Sequence, residues 1–237
     1  MVRISKIKVD FINSCGSDLS VVNAARVSFH KESELAYTRG VDGDGNQIAY
    51  LKEGDVKLIN YLASHGHTSP FNHAFLSYRV KAPIFVARQL VKHKFMPWNE
   101  VSRRYVDEEP EFYMPDGWRE RAENVKQGSG DTCISDITVK DIGVVDIDKF
   151  VLASMRHNLF CYNSLLEANI SAEQARMILP QNMMTEWIWS GTLGAFANMF
   201  KLRLDPHTQK ESRDVANMIF EDAVKRFPVS LAALLKT

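Results

Sequence analysis

A proline at position 83 stands where one backbone periodicity gives way to another. Before it, roughly from Ala74 to Lys81, the chain reads as a β-strand. After it, from Ile84 to about Lys92, the apolar residues Ile84, Ala87 and Val91 recur at helical spacing. Pro83 is expected in the first turn of that helix, where its missing N–H would have no partner in any case. A strand feeding straight into a helix calls for a mixed fold.

Other segments agree. Residues 2–12 alternate apolar and polar side chains in strand fashion, and Trp187-Ile188-Trp189 also reads as strand. Helices are expected over Leu19 to Phe29, Glu53 to Ser64 (Val56, Ile59, Tyr61 and Leu62 near one side, Gly66 as the stop) and Ile147 to Glu167. Ser171 with Gln174 forms a capping-box pattern for a helix over Ala172 to Leu179, halted by Pro180. Two more run from about Leu193 to Leu202 and from Thr208 to Arg226, with Asp205 and Thr208 available as caps. Thr38 to Gln47 reads as a turn-rich loop. The polar stretch 116–146, with Gly128-Ser129-Gly130 at its centre, is expected to be a variable loop or insertion, with no chemistry to attach. No repeat or heptad run interrupts the pattern. The expected architecture is a helix-rich α+β fold, a single domain over 1–237 with a small, mostly antiparallel sheet.

Charge and cysteine content narrow the function. Lys plus Arg and Asp plus Glu number 29 each, so the molecule has no net field to attract a polyanion, and a phosphate site must be local. Nucleic acid is therefore not an expected partner. Nor is a membrane, since no stretch approaches a span and the first residues do not read as a signal peptide. Cys15, Cys133 and Cys161 are widely spaced without a C-x-x-C pair, which points to a reducing, cytoplasmic setting and away from a disulfide framework or a zinc site. Asp42, Asp44 and Asn46 match a calcium loop only in part and read as a solvated turn. His93 lacks any partner at metal-ligand spacing, so no metal is expected.

The densest polar cluster is Arg88-Gln89-Leu90-Val91-Lys92-His93-Lys94; on a helix, Gln89, Lys92 and His93 would share one face beside the apolar stripe. Read alone, it is better explained by a solvated basic helix. Beyond a Pro-Trp turn comes Asn99-Glu100-Val101-Ser102-Arg103-Arg104-Tyr105, and in an extended chain Ser102 and Arg104 point the same way. A hydroxyl beside a planar guanidinium suits a phosphate.

Lys92-His93-Lys94, followed after seven residues by Ser102, resembles the R-H-R signature of the flavin-dependent thymidylate synthases, with both arginines replaced by lysine. Further segments are similar to that family in the same order. Gly66-His67-Thr68-Ser69-Pro70-Phe71-Asn72-His73 resembles its G-H-x-[ST]-P-F-E-H, and Lys81 to Gln89 resembles the lead-in to its signature. Gln174-Ala175-Arg176 to Pro180, Asn198 to Arg203 and His207 to Glu211 resemble its A-R-x-x-L-P, N-F-x-x-L-R and H-A-Q-x-E segments. Asn72 stands in place of the usual Glu, Thr192 where Asn is frequent, and Arg103 in place of a common Gly.

The resemblance implies an enzyme that methylates dUMP to dTMP with 5,10-methylenetetrahydrofolate and FAD reduced by NADPH. It implies a dUMP site of Gln89, Glu100, Ser102, Arg103, Arg104, Arg176 and Arg203, with Arg203 at the uracil. FAD contacts would come from Ser69, Lys92, His93, Lys94, Glu100, Asn198 and His207, with His67 and His73 beside the flavin and folate. Arg203, Ser102 and His67 are the catalytic candidates. It further implies a homotetramer with shared sites, and no cysteine falls inside a matched segment to act as nucleophile. Two rival readings are a non-catalytic nucleotide-binding protein that has lost flavin, and an RNA binder using Lys92, Lys94, Arg103 and Arg104 with Trp98 or Tyr105 for stacking. For Arg176 and Arg203 the alternative to a ligand role is pairing with Glu173 and Asp205 at the surface.

Overall fold

The computed structural model describes residues 2–41, 47–106, 108–122, 128–130 and 132–236. In chain order these form β1 (Arg3–Ile4), β2 (Lys8–Cys15), α1 (Asp18–Arg26), β3 (Ala36–Val41), β4 (Gln47–Tyr50), α2 (Glu53–Ser64), β5 (Phe75–Pro83) and α3 (Ile84–Leu90). There follow β6 (Trp98–Glu100), β7 (Glu111–Phe112), β8 (Trp118–Arg119), β9 (Cys133–Ile134), β10 (Asp136–Val139), β11 (Gly143–Asp146), α4 (Ile147–Glu167) and α5 (Ala172–Ala175). The last elements are β12 (Met184–Thr192), α6 (Leu193–Arg203), α7 (Lys210–Arg226) and α8 (Pro228–Leu235).

The longest ladder pairs β5 with β12 antiparallel, from Phe75 opposite Thr192 to Pro83 opposite Met184. β2 adds to the outer side of β5 and β6 to that of β12, so the main sheet runs β2-β5-β12-β6, antiparallel throughout. Among the described residues β1 and β7 form the one parallel pair. The expected α+β class with a small, mostly antiparallel sheet is what the chain adopts.

Period-two alternation decides which sheet face is covered. Trp187 and Trp189 of β12 lie opposite Val80 and Tyr78 of β5, and all four are buried. Against them pack Phe196 and Phe200 of α6 and Val215 and Ile219 of α7, in one continuous core. Trp98 stacks on Trp187 at 4.3 Å between ring centroids, closing the β6 edge. Truncating either buried indole to alanine removes packing worth about 3–5 kcal/mol. A second cluster, Phe112, Met155, Leu159, Tyr162, Ala175 and Met183, lies under α4 and α5.

Several boundaries follow directly from local chemistry. α2 ends where expected: Gly66 takes φ +68° and the His67 N–H returns to the Leu62 carbonyl at 2.9 Å. α4 starts at Ile147 because the Asp146 carboxylate accepts the Lys149 N–H at 2.8 Å. The expected helix over Leu19 to Phe29 is α1 continued by a 3₁₀ turn, Val27–Phe29.

Other expectations are corrected. Pro83 is not in the first turn of α3; it is the last residue of β5 and the helix N-cap, at φ −68° and ψ 154°. An extended ψ suits both roles. The same helix stops at Leu90 instead of Lys92, and Phe95 turns the chain at φ +62°. The loop expected over Thr38 to Gln47 is flanked by a hairpin of β3 and β4, while Asp42, Asp44 and Asn46 lie outside the described residues. Tyr61 faces outward and stacks on His65 at 4.1 Å instead of packing with Ile59. The Ser171 hydroxyl makes no cap, and α5 lasts one turn before a 3₁₀ segment, Arg176–Ile178. α7 begins after Gln209, so neither Asp205 nor Thr208 caps it; Asp205 accepts the His207 N–H and Thr208 donates to the Leu202 carbonyl. The 116–146 stretch contains strands β8 to β11 in two small hairpins, with residues 123–127 and 131 outside the described residues.

One contact ties the two ends of this order together. The buried carboxylate of Asp18, in α1, accepts the backbone N–H groups of Val229 and Ser230 at 2.9 Å each, capping α8 from a distance. Two charge-assisted bonds to an otherwise unpaired helix end predict that Asp18→Ala lowers unfolding free energy by about 2 kcal/mol. Asp18→Asn, which keeps one acceptor oxygen, is expected to fall between it and the parent in a denaturant or thermal melt.

Candidate active site

Arg203, the last residue of α6, reaches across to the end of α3. Its Nε donates to Nε2 of His93 at 3.0 Å and its Nη2 to the Gln89 carbonyl at 3.3 Å. The alternative surface pairing of Arg203 with Asp205 is not made; Asp205 holds His207 instead, through its backbone N–H at 2.7 Å and Nδ1 at 3.0 Å. Gln89, Arg203, His207, Thr208 and Gln209 line one cavity of about 680 Å³.

His93 is half-buried, with its ring 6.2 Å from that of Trp189. Burial pushes its pKa down from 6.5 to about 4, with Arg203 adding to the shift, and burial also draws Arg203 below the ordinary guanidinium value. A neutral His93 keeps a lone pair on Nε2 for the arginine and its proton on Nδ1.

Glu100, Arg103 and Arg176 line a different cavity, of about 650 Å³, together with Lys81, Met177 and Gln181. Glu100 is held at both oxygens, by the Thr185 hydroxyl at 2.7 Å and the Trp98 indole N–H at 3.0 Å. Arg103 donates to the Glu108 carbonyl, and Arg176 Nε donates to the Glu173 backbone carbonyl at 3.3 Å, not to its carboxylate. Ser102 and Arg104 do come together, but by a turn: Tyr105 N–H bonds the Ser102 carbonyl at 3.0 Å, and Arg104 Nε meets the Ser102 hydroxyl at 3.3 Å. The chain is not extended there. Within one chain, therefore, five of the residues expected around the nucleotide divide between two cavities with no lining residue in common, Gln89 and Arg203 in one and Glu100, Arg103 and Arg176 in the other, while Ser102 and Arg104 line neither.

Ser69 and His73 belong to a 3₁₀ turn, Ser69–His73, and are exposed, as are His67, Lys92, Lys94, Asn198 and His207. Two departures from the family pattern prove to be neighbours. The Thr192 hydroxyl donates to Asn72 Oδ1 at 2.8 Å while accepting the Ala195 N–H at 3.2 Å as the N-cap of α6. Gly194 packs beside them, and a Cβ there would sit 2.8 Å from Asn72 Oδ1, so a larger residue would displace the Asn72 amide.

Sequence reasoning missed four polar residues in and behind the first cavity. Gln209, Glu211 and Ser212 form a hydrogen-bonded set with Gln89, and Arg119 pairs with Glu211 at 2.7 Å. The similarity of His207 to Glu211 to a family segment was the available signal, though only its histidine was singled out. No cysteine lines either cavity. Among the described residues no group of His, Cys, Asp and Glu could hold a metal, and no helix is long and apolar enough to cross a membrane.

A family model described as thymidylate synthase complementing protein matches residues 10–229, so the chain belongs to that family of enzymes. A flavin-dependent thymidylate synthase from Thermus thermophilus is 35% identical over 225 residues, covering 95% of this chain and 74% of that one. Another from Thermosipho africanus is 32% identical over 225 residues, covering 95% and 89%. Among solved structures, a UMP/dUMP methylase from Streptomyces cacaoi bound with 5-Br dUMP matches at a TM-score of 0.76 and 28% identity, covering 98% of this chain and 96% of that one. The resemblance seen in the motifs thus extends to the fold, and a flavin cofactor goes with the relatives' name.

The depressed pKa of His93 has a checkable sign. The unfolded ring takes up a proton near 6.5 and the folded ring only near 4, so its contribution to stability is whole above about pH 6.5 and is lost as pH falls toward 4. NMR of the histidine rings should find His93 still neutral at about pH 5.5. A midpoint at or above 6 would contradict the buried, arginine-facing ring.

Proposed function

We propose that this chain methylates dUMP to dTMP, taking the carbon from 5,10-methylenetetrahydrofolate and the hydride from FAD reduced by NADPH, as a cytoplasmic homotetramer whose sites are shared between subunits. The chain acts as one catalytic domain, with 116–146 as its variable segment. The observation that carries the reading is the division of the nucleotide-binding set between two cavities. Gln89 and Arg203 line one, while Glu100, Arg103 and Arg176 line the other. Each half lacks what the other has, so a second copy bringing its complementary half completes the site.

Exposed apolar side chains support that assembly. Phe95 (85% exposed), Tyr105 (76%), Met177 (76%) and Leu202 (61%) each adjoin in sequence a residue of the proposed site, namely Lys94, Arg104, Arg176 and Arg203. Large apolar groups left in water beside the proposed site residues are in keeping with a surface that another chain covers.

In the completed site, Ser102, Arg104 and Arg176 hold the phosphate by charge-assisted bonds, each worth about 1.5–3 kcal/mol. Arg203 stabilises negative charge developing on the uracil, which makes C5 more nucleophilic. Neutral His93 and the Gln89 carbonyl fix the guanidinium for that task. The donors present suit a flavin: exposed Lys92, Lys94, Ser69, Asn198 and His207 offer cations and hydrogen-bond donors for a pyrophosphate and a ring system. When bound, the flavin supplies the redox chemistry, and the protein supplies position and charge. Glu100, pinned at both oxygens, lies between the two roles. His67 and His73 border the flavin and folate. The carbon transfer proceeds without a protein thiolate, and replacing Cys15, Cys133 and Cys161 together should leave most of the turnover.

The decisive assay is dTMP formation from dUMP, methylene-folate, NADPH and FAD. Purified protein that retains no flavin absorption band once added FAD has been removed by gel filtration, yet binds dUMP, would identify a non-catalytic nucleotide-binding protein instead. Sharing of sites is tested by mixing. Arg176→Ala and Arg203→Ala are each expected to cut kcat/KM at least about a hundredfold, since each removes a charge partner of the substrate. Dissociated and reassembled together, they should regain part of the parental activity, because some sites then receive an intact half from each chain. No recovery would place both halves of a site in one subunit.

A further inference from the structure

The 116–146 segment carries no family motif, yet it is wired to the nucleotide cavity. Arg119, on β8, donates from Nε to the Ser129 hydroxyl at 2.7 Å and from Nη2 to Glu211 Oε1 at 2.7 Å. Glu211 is 4% exposed in the first turn of α7. Its other oxygen accepts Nε2 of Gln209 at 3.1 Å, Gln209 Oε1 accepts Nε2 of Gln89, and Gln89 Oε1 accepts the Ser212 hydroxyl at 3.1 Å. Gly128 of the same segment joins Gln89 and Arg203 in lining the cavity.

The order of donors matters. An amide presents a donor at one end and an acceptor at the other, and nothing in its shape prevents a flip. An ionised carboxylate only accepts. Glu211 therefore turns the NH₂ of Gln209 toward itself, which leaves the Gln209 oxygen facing Gln89 and turns the Gln89 NH₂ toward that oxygen. The charge on Glu211 sets the orientation of two amides in series. Burial pushes the Glu211 carboxyl upward, but Arg119, with help from Gln209, more than offsets this and holds it below the usual carboxylate range. Without the arginine, a buried charge would stand unpaired, and a protonated carboxyl could donate and reverse the relay.

We propose that Arg119 is a positioning residue for substrate binding: by keeping Glu211 ionised it fixes, through Gln209, the orientation in which Gln89 faces the nucleotide. The proposal rests on the reading above that Gln89 contacts dUMP. Arg119 acts through other residues and touches no reacting atom. The 116–146 segment thereby contributes to the affinity of the site.

A double-mutant cycle on the flavin-loaded protein, read by calorimetric titration with dUMP, tests it. Arg119→Met is expected to weaken dUMP binding about tenfold, as for residues in one hydrogen-bonded network, with FAD affinity unchanged and kcat at saturating dUMP within a few-fold of parental. Arg119→Lys, which keeps the charge, should recover most of the loss. Gln89→Ala should weaken dUMP by itself, and adding Arg119→Met to it should cost nothing further, because the group being oriented is gone. A residue that merely tethers a loop would give additive losses, and additivity overturns the proposal, as does a Gln89→Ala protein that binds dUMP normally. If Arg119→Met does not fold, Arg119→Lys and Ser129→Ala replace it, each expected to give a smaller loss that again vanishes on the Gln89→Ala background. Parental protein that fails to bind dUMP at all overturns the functional reading and this proposal together; parental binding with an uncoupled Arg119 overturns the positioning role alone.

Discussion

The antiparallel ladder between β5 and β12 governs where the chemistry is placed. Each strand passes into a helix without an intervening loop, β5 into α3 at Pro83 and β12 into α6 at Thr192. Because the strands run in opposite directions, those helices start at opposite ends of nine paired residues. The ladder is about 27 Å long at about 3.4 Å per residue. The eleven residues of α6 cover about 16 Å and the seven of α3 about 10 Å, together close to the ladder's length, so the far ends of the two helices come near each other. Their meeting point is the Arg203 contact with His93 and Gln89. Strand length and helix length together put the guanidinium beside the imidazole.

Electrostatics at that junction come from the same packing. Trp189 is buried because it lies on the covered face of β12, and it forms the wall against which His93 is desolvated. A desolvated imidazole is a poor base and a good acceptor, which suits a guanidinium that must stay charged and held in place. Lysine in place of arginine on either side of His93 changes the exposed contacts without touching this buried pair. The Asn72 and Thr192 departures likewise satisfy one another, and the Thr192 hydroxyl still caps α6. A pair of exchanged residues that bond each other leaves the surrounding geometry intact.

Much of this was legible in the residues. Strong periodicity and firm stop signals located α2 and α4 to the residue, and the two tryptophans two apart marked the buried face of β12. Errors gathered where tertiary contacts override local preference. α3 gives way after Leu90 to a turn in which a left-handed Phe95 redirects the chain, which residue type alone does not foretell. Ser171 has capping-box chemistry but no hydrogen-bonded cap, and α5 is one turn long. Around the candidate site, ordered motifs identified the groups that face a ligand. The residues behind them, Gln209, Glu211, Ser212 and Arg119, escaped notice because their role depends on contacts spanning up to 123 positions.

The Asp18 contact with Val229 and Ser230 spans 211 and 212 positions. α8 also packs on α2 and α6, so the final helix serves as a bolt for the earliest one. During synthesis the carboxylate of residue 18 has to wait for nearly the entire polypeptide before it meets its partners. Contacts of such sequence separation are slow to form because they close the largest loop available. The corner made by α1 and α8 therefore depends on both ends of the sequence at once, and clipping the ten residues after Phe227 would unfasten structure more than two hundred positions upstream.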